Sequence, residues 1–185
     1  MAKSKVVGAA RTQQELPDLG ALYEEHFSFV WRSLIRLGLS SSSAEDVAQD
    51  VFLVVRRRLP DYDPAFPMRA WLFGISRRVA KDHRRSAQRA ARRLEALPPV
   101  EPPPDPESRA SAREAADLVN GFLEQLDEGA RALFVLCELE DLSGTEASAA
   151  LGLNRNTLYS QRRKLRVRFE KYVRRAQRQG RRTTP

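Results

Sequence analysis

Cysteine is nearly absent from this 185-residue chain, histidine occurs twice, and no long hydrophobic run occurs at all. One cysteine, Cys137, cannot form an internal disulfide, and its place in ALFVLCEL makes it a core thiol. His26 and His83 stand far apart, no acidic cluster suits a metal, and no glycine-rich phosphate loop appears. An enzyme acting on nucleic acid therefore has little support, and neither cofactor nor metal is expected. No stretch approaches the ~18 to 20 apolar residues that a membrane span needs. The opening MAKSKVVGAARTQQELPD lacks the apolar core of a signal peptide, so a cytoplasmic protein with no membrane insertion is expected.

Positive charge is abundant and unevenly placed. The formal net charge is +8 and the pI about 10.2, a balance that favours a polyanionic partner. Segment 69–93 carries nine arginines and lysines against Asp82, and segment 155–182 carries twelve against Glu170. Between them, 94–107 holds four acids and no base. Two basic surfaces separated by an acidic hinge predict two DNA contacts.

The chain reads as all α: two small helical domains joined by a flexible Pro-rich linker, the second domain with a helix-turn-helix. Residues 18–37 repeat apolar side chains at helical spacing, and Gly38 suits the C′ position. Ser43, with Asp46 three residues on, looks like the cap of a helix reaching about Leu59. PDYDPAFP at 60–67 breaks it, and another helix covers 68–93. The segment 94–111, with PPVEPPPDPES, favours extended conformations and forms a tether of up to ~60 Å. Further helices are predicted at 112–126, 128–140, 144–151 and from 155 to about 178. A basic tail, 179–185, ends the chain, and about the first seventeen and the last six residues are expected to be disordered.

In GTEASAALGLNRNTLYSQRRKL, Gly152 can adopt the positive φ that a sharp inter-helix turn needs. Small Ser148 and Ala149 allow a close crossing, while Leu151, Leu153 and Leu158 pack the pair. Asn154 suits the N-cap of the last helix, whose Arg155, Asn156, Thr157, Ser160, Gln161, Arg163 and Lys164 are candidates for base edges or phosphates. In the first domain, Arg77, Lys81, Arg84 and Arg85 form a basic stripe with Trp71, Phe73 and Arg78 at its margins and Arg69 nearby. Tyr62 and Phe66 adjoin it on the preceding loop. Cations that follow phosphates beside rings that stack on bases suit single-stranded nucleic acid. On the helix before it, Asp46, Gln49, Asp50, Leu53, Arg56 and Arg57 share a face opposite Val47, Val51, Val54 and Val55. An exposed leucine among acids hints at a protein-binding surface.

Taken together, SAEDVAQDVFLVV, RAWLFGISRRVAKDHRR and LDEGARALFVLCELEDLSGTEASAALGLNRNTLYSQRRKL resemble the extracytoplasmic-function group of bacterial sigma factors. The match covers about residues 18–93 and 113–175. The resemblance implies a first domain, 18–93, that binds the β′ clamp helices of core RNA polymerase through Asp46, Gln49, Asp50, Phe52, Leu53 and Arg56. That domain would also melt the −10 element, with Tyr62, Phe66, Arg69, Trp71, Arg77, Arg78, Lys81, Arg84 and Arg85 on the DNA. It implies a second domain, 112–178, that binds the β flap and reads the −35 element of promoter DNA from Asn154 to Lys164. An anti-sigma factor is an optional further partner. The alternative is a helix-turn-helix regulator that binds duplex DNA without replacing the sigma subunit. Four positions depart from the family pattern: Arg78 for Asn, Ala147 for a larger aliphatic residue, Tyr159 for Lys and Arg162 for Leu. The resemblance then implies an unusual −10 base preference from Arg78, and a loosely packed helix-turn-helix with an unusual −35 sequence from the other three.

Overall fold

The computed structural model describes residues 17–93 and 110–180. The terminal segments and most of the Pro-rich tether fall outside these residues. Within them the chain is helical and no strand occurs. The elements are α1 (Leu19–Arg36), α2 (Ser41–Arg58), a 3-10 turn (Leu59–Asp61), α3 (Met68–Arg93), α4 (Ala110–Glu124), α5 (Glu128–Phe134), α6 (Gly144–Leu151) and α7 (Arg155–Gly180). No described helix is long and apolar enough to cross a membrane.

Local chemistry sets the boundaries. The Asp18 carboxylate accepts the Ala21 N–H at 3.0 Å and starts α1. Gly38, at φ +98°, follows its last turn as the C′ residue. The cap of α2 is Ser40, not Ser43: its hydroxyl accepts the Ser43 N–H at 3.2 Å, so the helix begins three residues earlier than the Ser43–Asp46 pair suggests. The consecutive serines offer several capping hydroxyls, and the one that frees Ala44 for the core is used. Helix α5 continues through a π-helical turn at Val135–Leu139, closed by the Glu140 N–H on the Val135 carbonyl at 3.0 Å. The predicted 128–140 helix is thus one segment of two pitches.

Helices α1, α2 and α3 pack on one another around Val30, Leu34, Val51, Val55, Leu72 and Phe73, all fully buried. Phe73 lies in this core, not at the margin of the basic stripe. Helices α4, α5 and α7 meet around Phe122, whose ring lies 5.0 Å from those of Phe134 and Phe169 and 5.6 Å from that of Tyr172. The two halves also touch: α6 lies against α3, with Ala149 and Ala150 beside Gly74 and Trp71.

Candidate nucleic-acid interface

Helix α3 turns Ala70, Leu72, Phe73 and Ile75 inward, so the residues between them face outward at helical spacing. Arg78, Lys81 and Arg85 are exposed, and Arg77 and Arg84 are half-buried. Arg69 leaves this stripe. Its guanidinium lies 4.6 Å from the centre of the Phe29 ring and 3.1 Å from a Glu140 oxygen. Beside the stripe, Phe66, Trp71, Arg77, Arg78 and Lys81 line an open cleft of about 500 Å³. The three loop-side aromatics are all half-buried and interlocked. The Tyr62 ring lies 4.8 Å from that of Trp71 at 51°, and the Tyr62 hydroxyl donates to the Phe66 carbonyl. Burial, and then the Asp63 charge, push the Tyr62 phenol above its usual value. Tyr62 therefore braces the loop, while Phe66 and Trp71 present ring surface to the cleft.

The helix-turn-helix is built as its residues predict. Ser143 and Glu146 form a reciprocal capping box at the start of α6, and Gly152 takes φ +64° in the turn. The Asn154 side chain accepts the Asn156 N–H at 2.8 Å and opens α7. Asn154, Arg155, Asn156, Thr157, Ser160, Gln161, Arg163 and Lys164 are all exposed, but they do not form one face. Gln161 borders a cleft with Arg77 and Leu153, whereas Ser160, Arg163 and Val167 lie together on another side. Tyr159 belongs with the latter group, 52 % exposed. Sequence reasoning left it out of the candidate site, yet its place one turn after Arg155 and one before Arg163 was readable. Its hydroxyl crowds Gly144, where a Cβ would lie 2.5 Å away, and Arg155 donates to the Thr145 hydroxyl. The start of α6 thereby steadies the exposed end of α7.

The unusual residues do not loosen this motif. Ala147 and Leu158 are fully buried at the helix crossing. Arg162 donates to a Glu138 oxygen at 2.6 Å and to the Cys137 carbonyl at 3.0 Å, and Arg166 reaches the same carboxylate at 2.9 Å. An arginine in place of leucine is thus matched by an acid on the π-turn. Cys137 is buried, and that burial raises its thiol pKa. Of the two small residues expected at the crossing, Ser148 has a buried hydroxyl, whereas Ala149 is exposed towards α3.

On α2, Asp46, Gln49, Asp50 and Arg56 are exposed, and Leu53 is 52 % exposed among them. Phe52 is not on this surface. It is buried, with its ring 4.7 Å from that of Tyr23 and 6.5 Å from that of Phe27, and supports the face from beneath.

Residues 22–90 match the model of sigma-70 region 2, and residues 117–169 that of sigma-70 region 4. The RNA polymerase sigma factor CnrH of Cupriavidus metallidurans is 31% identical over 144 residues, which are 73% of this chain and 75% of the relative. The chain belongs to the extracytoplasmic-function sigma factors. The ECF sigma factor SigE of Mycolicibacterium smegmatis is 32% identical over 174 residues, and this chain spans 91% of itself and 66% of that longer protein. The solved structure of CnrH with the cytosolic domain of CnrY superposes with TM-score 0.63 at 26% identity, covering 84% of this chain and 86% of that one. The sigma factor RpoE of Bartonella quintana, solved with the anti-sigma factor NepR, shares the fold with TM-score 0.68 at 19% identity, covering 85% of this chain and 97% of that one.

In this sigma factor the region 4 match contains the Glu138 bridge, which links acid stability to the packing of α7. Burial pushes the Glu138 carboxyl up, but hydrogen bonds from Arg166 and Arg162, with their charges, outweigh it and hold the pKa below the usual range. The Ser143 hydroxyl and backbone do the same for Glu146. Each carboxylate stabilises the fold above its unfolded pKa of about 4.3, and the contribution is lost as pH falls through the lower folded value. Urea midpoints recorded at falling pH should drop below about pH 4.3, and Glu138→Gln should flatten that drop. An acid limb identical in the variant would show that Glu138 contributes nothing.

Proposed function

We propose that this chain binds bacterial core RNA polymerase and directs it to promoters, with α3 on the opened −10 element and α7 in the major groove of the −35 element. One observation carries this: a single chain holds a basic helix beside a ring-lined cleft and, separately, a basic helix-turn-helix. The first arrangement suits separated strands and the second suits duplex. A duplex-binding regulator would use α7 but has no need of the α3 cleft or of a region 2 match.

Domain 2 comprises residues 18–93, domain 4 comprises 112–178, and 94–111 tethers them. Within domain 4, Arg155, Asn156, Tyr159, Ser160 and Arg163 face the −35 groove, and Gln161 lies to one side of it. Within domain 2, Asp46, Gln49, Asp50, Leu53 and Arg56 dock on the β′ clamp helices. The chain acts in the cytoplasm by binding and carries out no reaction of its own. CnrH has been solved with the cytosolic domain of CnrY, and a partner protein that similarly covers this chain is proposed with it.

The test is run-off transcription with purified core polymerase on a genomic fragment library. Promoter-specific transcripts that depend on this chain support the proposal, and their absence despite duplex binding favours the regulator. Trp71→Ala sharpens the test. Loss of one stacked base is worth ~1–3 kcal/mol, so opening of duplex promoters should fall about tenfold for each ~1.4 kcal/mol. A template pre-melted across the −10 element should restore transcription, because the cost of strand separation is already met. No rescue, together with a drop of several degrees in Tm, would show that Trp71 serves only the loop packing.

A further inference from the structure

Three cations of the α3 stripe already have an anionic neighbour, and it comes from the other half of the chain. Glu128, the first residue of α5, sets one carboxylate against Arg77 at 3.5 Å, Lys81 at 3.8 Å and Arg84 at 3.9 Å. Arg84 also donates to the Leu37 carbonyl at 2.8 Å, and Arg131 of α5 donates to that carbonyl at 3.3 Å. A second acid crosses the same boundary. Glu140 follows the π-turn, its side chain is 2% exposed, and it pairs with Arg36, with Arg69 at 3.1 Å and with Arg32 at 3.8 Å. An unpaired carboxylate at that depth would be costly, so its burial depends on these three arginines of α1 and α3.

We infer that Glu128 of α5 is an internal phosphate mimic that closes domain 4 over the −10 surface until single-stranded DNA displaces it, with Glu140 after the π-turn as a second clamp on α1 and α3. Each acid offers paired oxygens to several guanidinium or ammonium groups, as a phosphate would. Ala149 and Ala150 form part of the wall of the neighbouring cleft, beside Trp71 and Arg78. The groove-facing side of α7, with Arg155, Tyr159 and Arg163, stays exposed in this closed form. The free protein therefore offers its duplex-reading face first and withholds its single-strand surface, which lowers binding to stray single strands. The inference rests on α3 being the −10 surface.

The test uses the full chain and a fluorescent oligo-dT probe of about a dozen nucleotides, within the usual site size. Glu128→Gln removes the competing charge at a half-exposed position and should tighten probe binding about fivefold, the effect of roughly 1 kcal/mol of ion pairing. Glu140→Gln should loosen closure further. Spin labels on Glu45→Cys and Lys171→Cys report the separation of the halves. The unmutated acids should give one short distance, and Glu128→Gln or saturating probe should give longer ones. Unchanged probe affinity in Glu128→Gln, while Arg77→Ala weakens binding, would overturn the mimic and leave the −10 assignment standing. If Arg77→Ala has no effect either, α3 is not the single-strand surface, and the mimic falls with it.

Discussion

Phe122→Ala should unfold domain 4 at growth temperature while sparing domain 2. The Phe122 side chain is fully buried, and three other rings close around it within 5.6 Å. Truncating such a phenylalanine costs about 3–5 kcal/mol, because the lost transfer energy is joined by a cavity that rigid neighbours fill poorly. A small domain has on the order of 5–15 kcal/mol in total, so α7 would lose the platform formed with Phe134 and Phe169. Urea titration of the full chain should show one transition shifted to low denaturant and another unchanged. Duplex binding should vanish and single-strand binding should survive. Phe122→Leu keeps most of the volume and should retain duplex binding. A single unshifted transition in Phe122→Ala would mean that the aromatic cluster holds little of the fold.

Charge reversal at Asp46 and Asp50 should strongly weaken holoenzyme assembly without touching the fold. Both side chains are exposed on α2, on the face away from buried Val47 and Val51. Surface changes of this kind alter stability by about 0.5 kcal/mol or less. Across an interface, a like-charge juxtaposition costs several kcal/mol, so Asp46→Arg with Asp50→Arg should weaken the affinity for core polymerase on the order of a hundredfold. Fluorescence anisotropy of the labelled chain titrated with core polymerase measures this directly. Unaltered affinity, with Tm unchanged, would move the docking site off α2.

The helices were largely legible, because buried leucines and valines recur at 3.6-residue spacing and Gly38, Gly152 and Asn154 mark their ends. What escaped was set by contacts between distant segments. Phe52 sits beside exposed Leu53 in sequence, yet it turns into the core, since one residue along a helix is a rotation of about 100°; Phe73, next to buried Leu72, also faces inward. Arg69 was grouped with its basic neighbours, but the Phe29 ring and Glu140 draw it elsewhere. Arg162 looked like a packing fault until Glu138, 24 residues earlier, supplied its partner. Gln161 and Tyr159 have different surroundings, which only the tertiary packing around α7 reveals. Composition announces a basic helix, but which cations are already paired depends on tertiary structure.

The wide turn at Val135–Leu139 has a bearing on how this gene can change. It holds Glu138 against α7 and delivers Glu140 to the arginines of α1 and α3, so two acids two residues apart serve opposite neighbours. Conversion of this stretch to an ordinary α-helical pitch, by loss of one codon, would turn the following residues by about 100°. Glu140 would leave its pocket although every other amino acid was retained. Point substitutions in the turn are therefore gentler than length changes, and drift in this lineage should preserve the spacing between these two acids more strictly than the apolar residues around them.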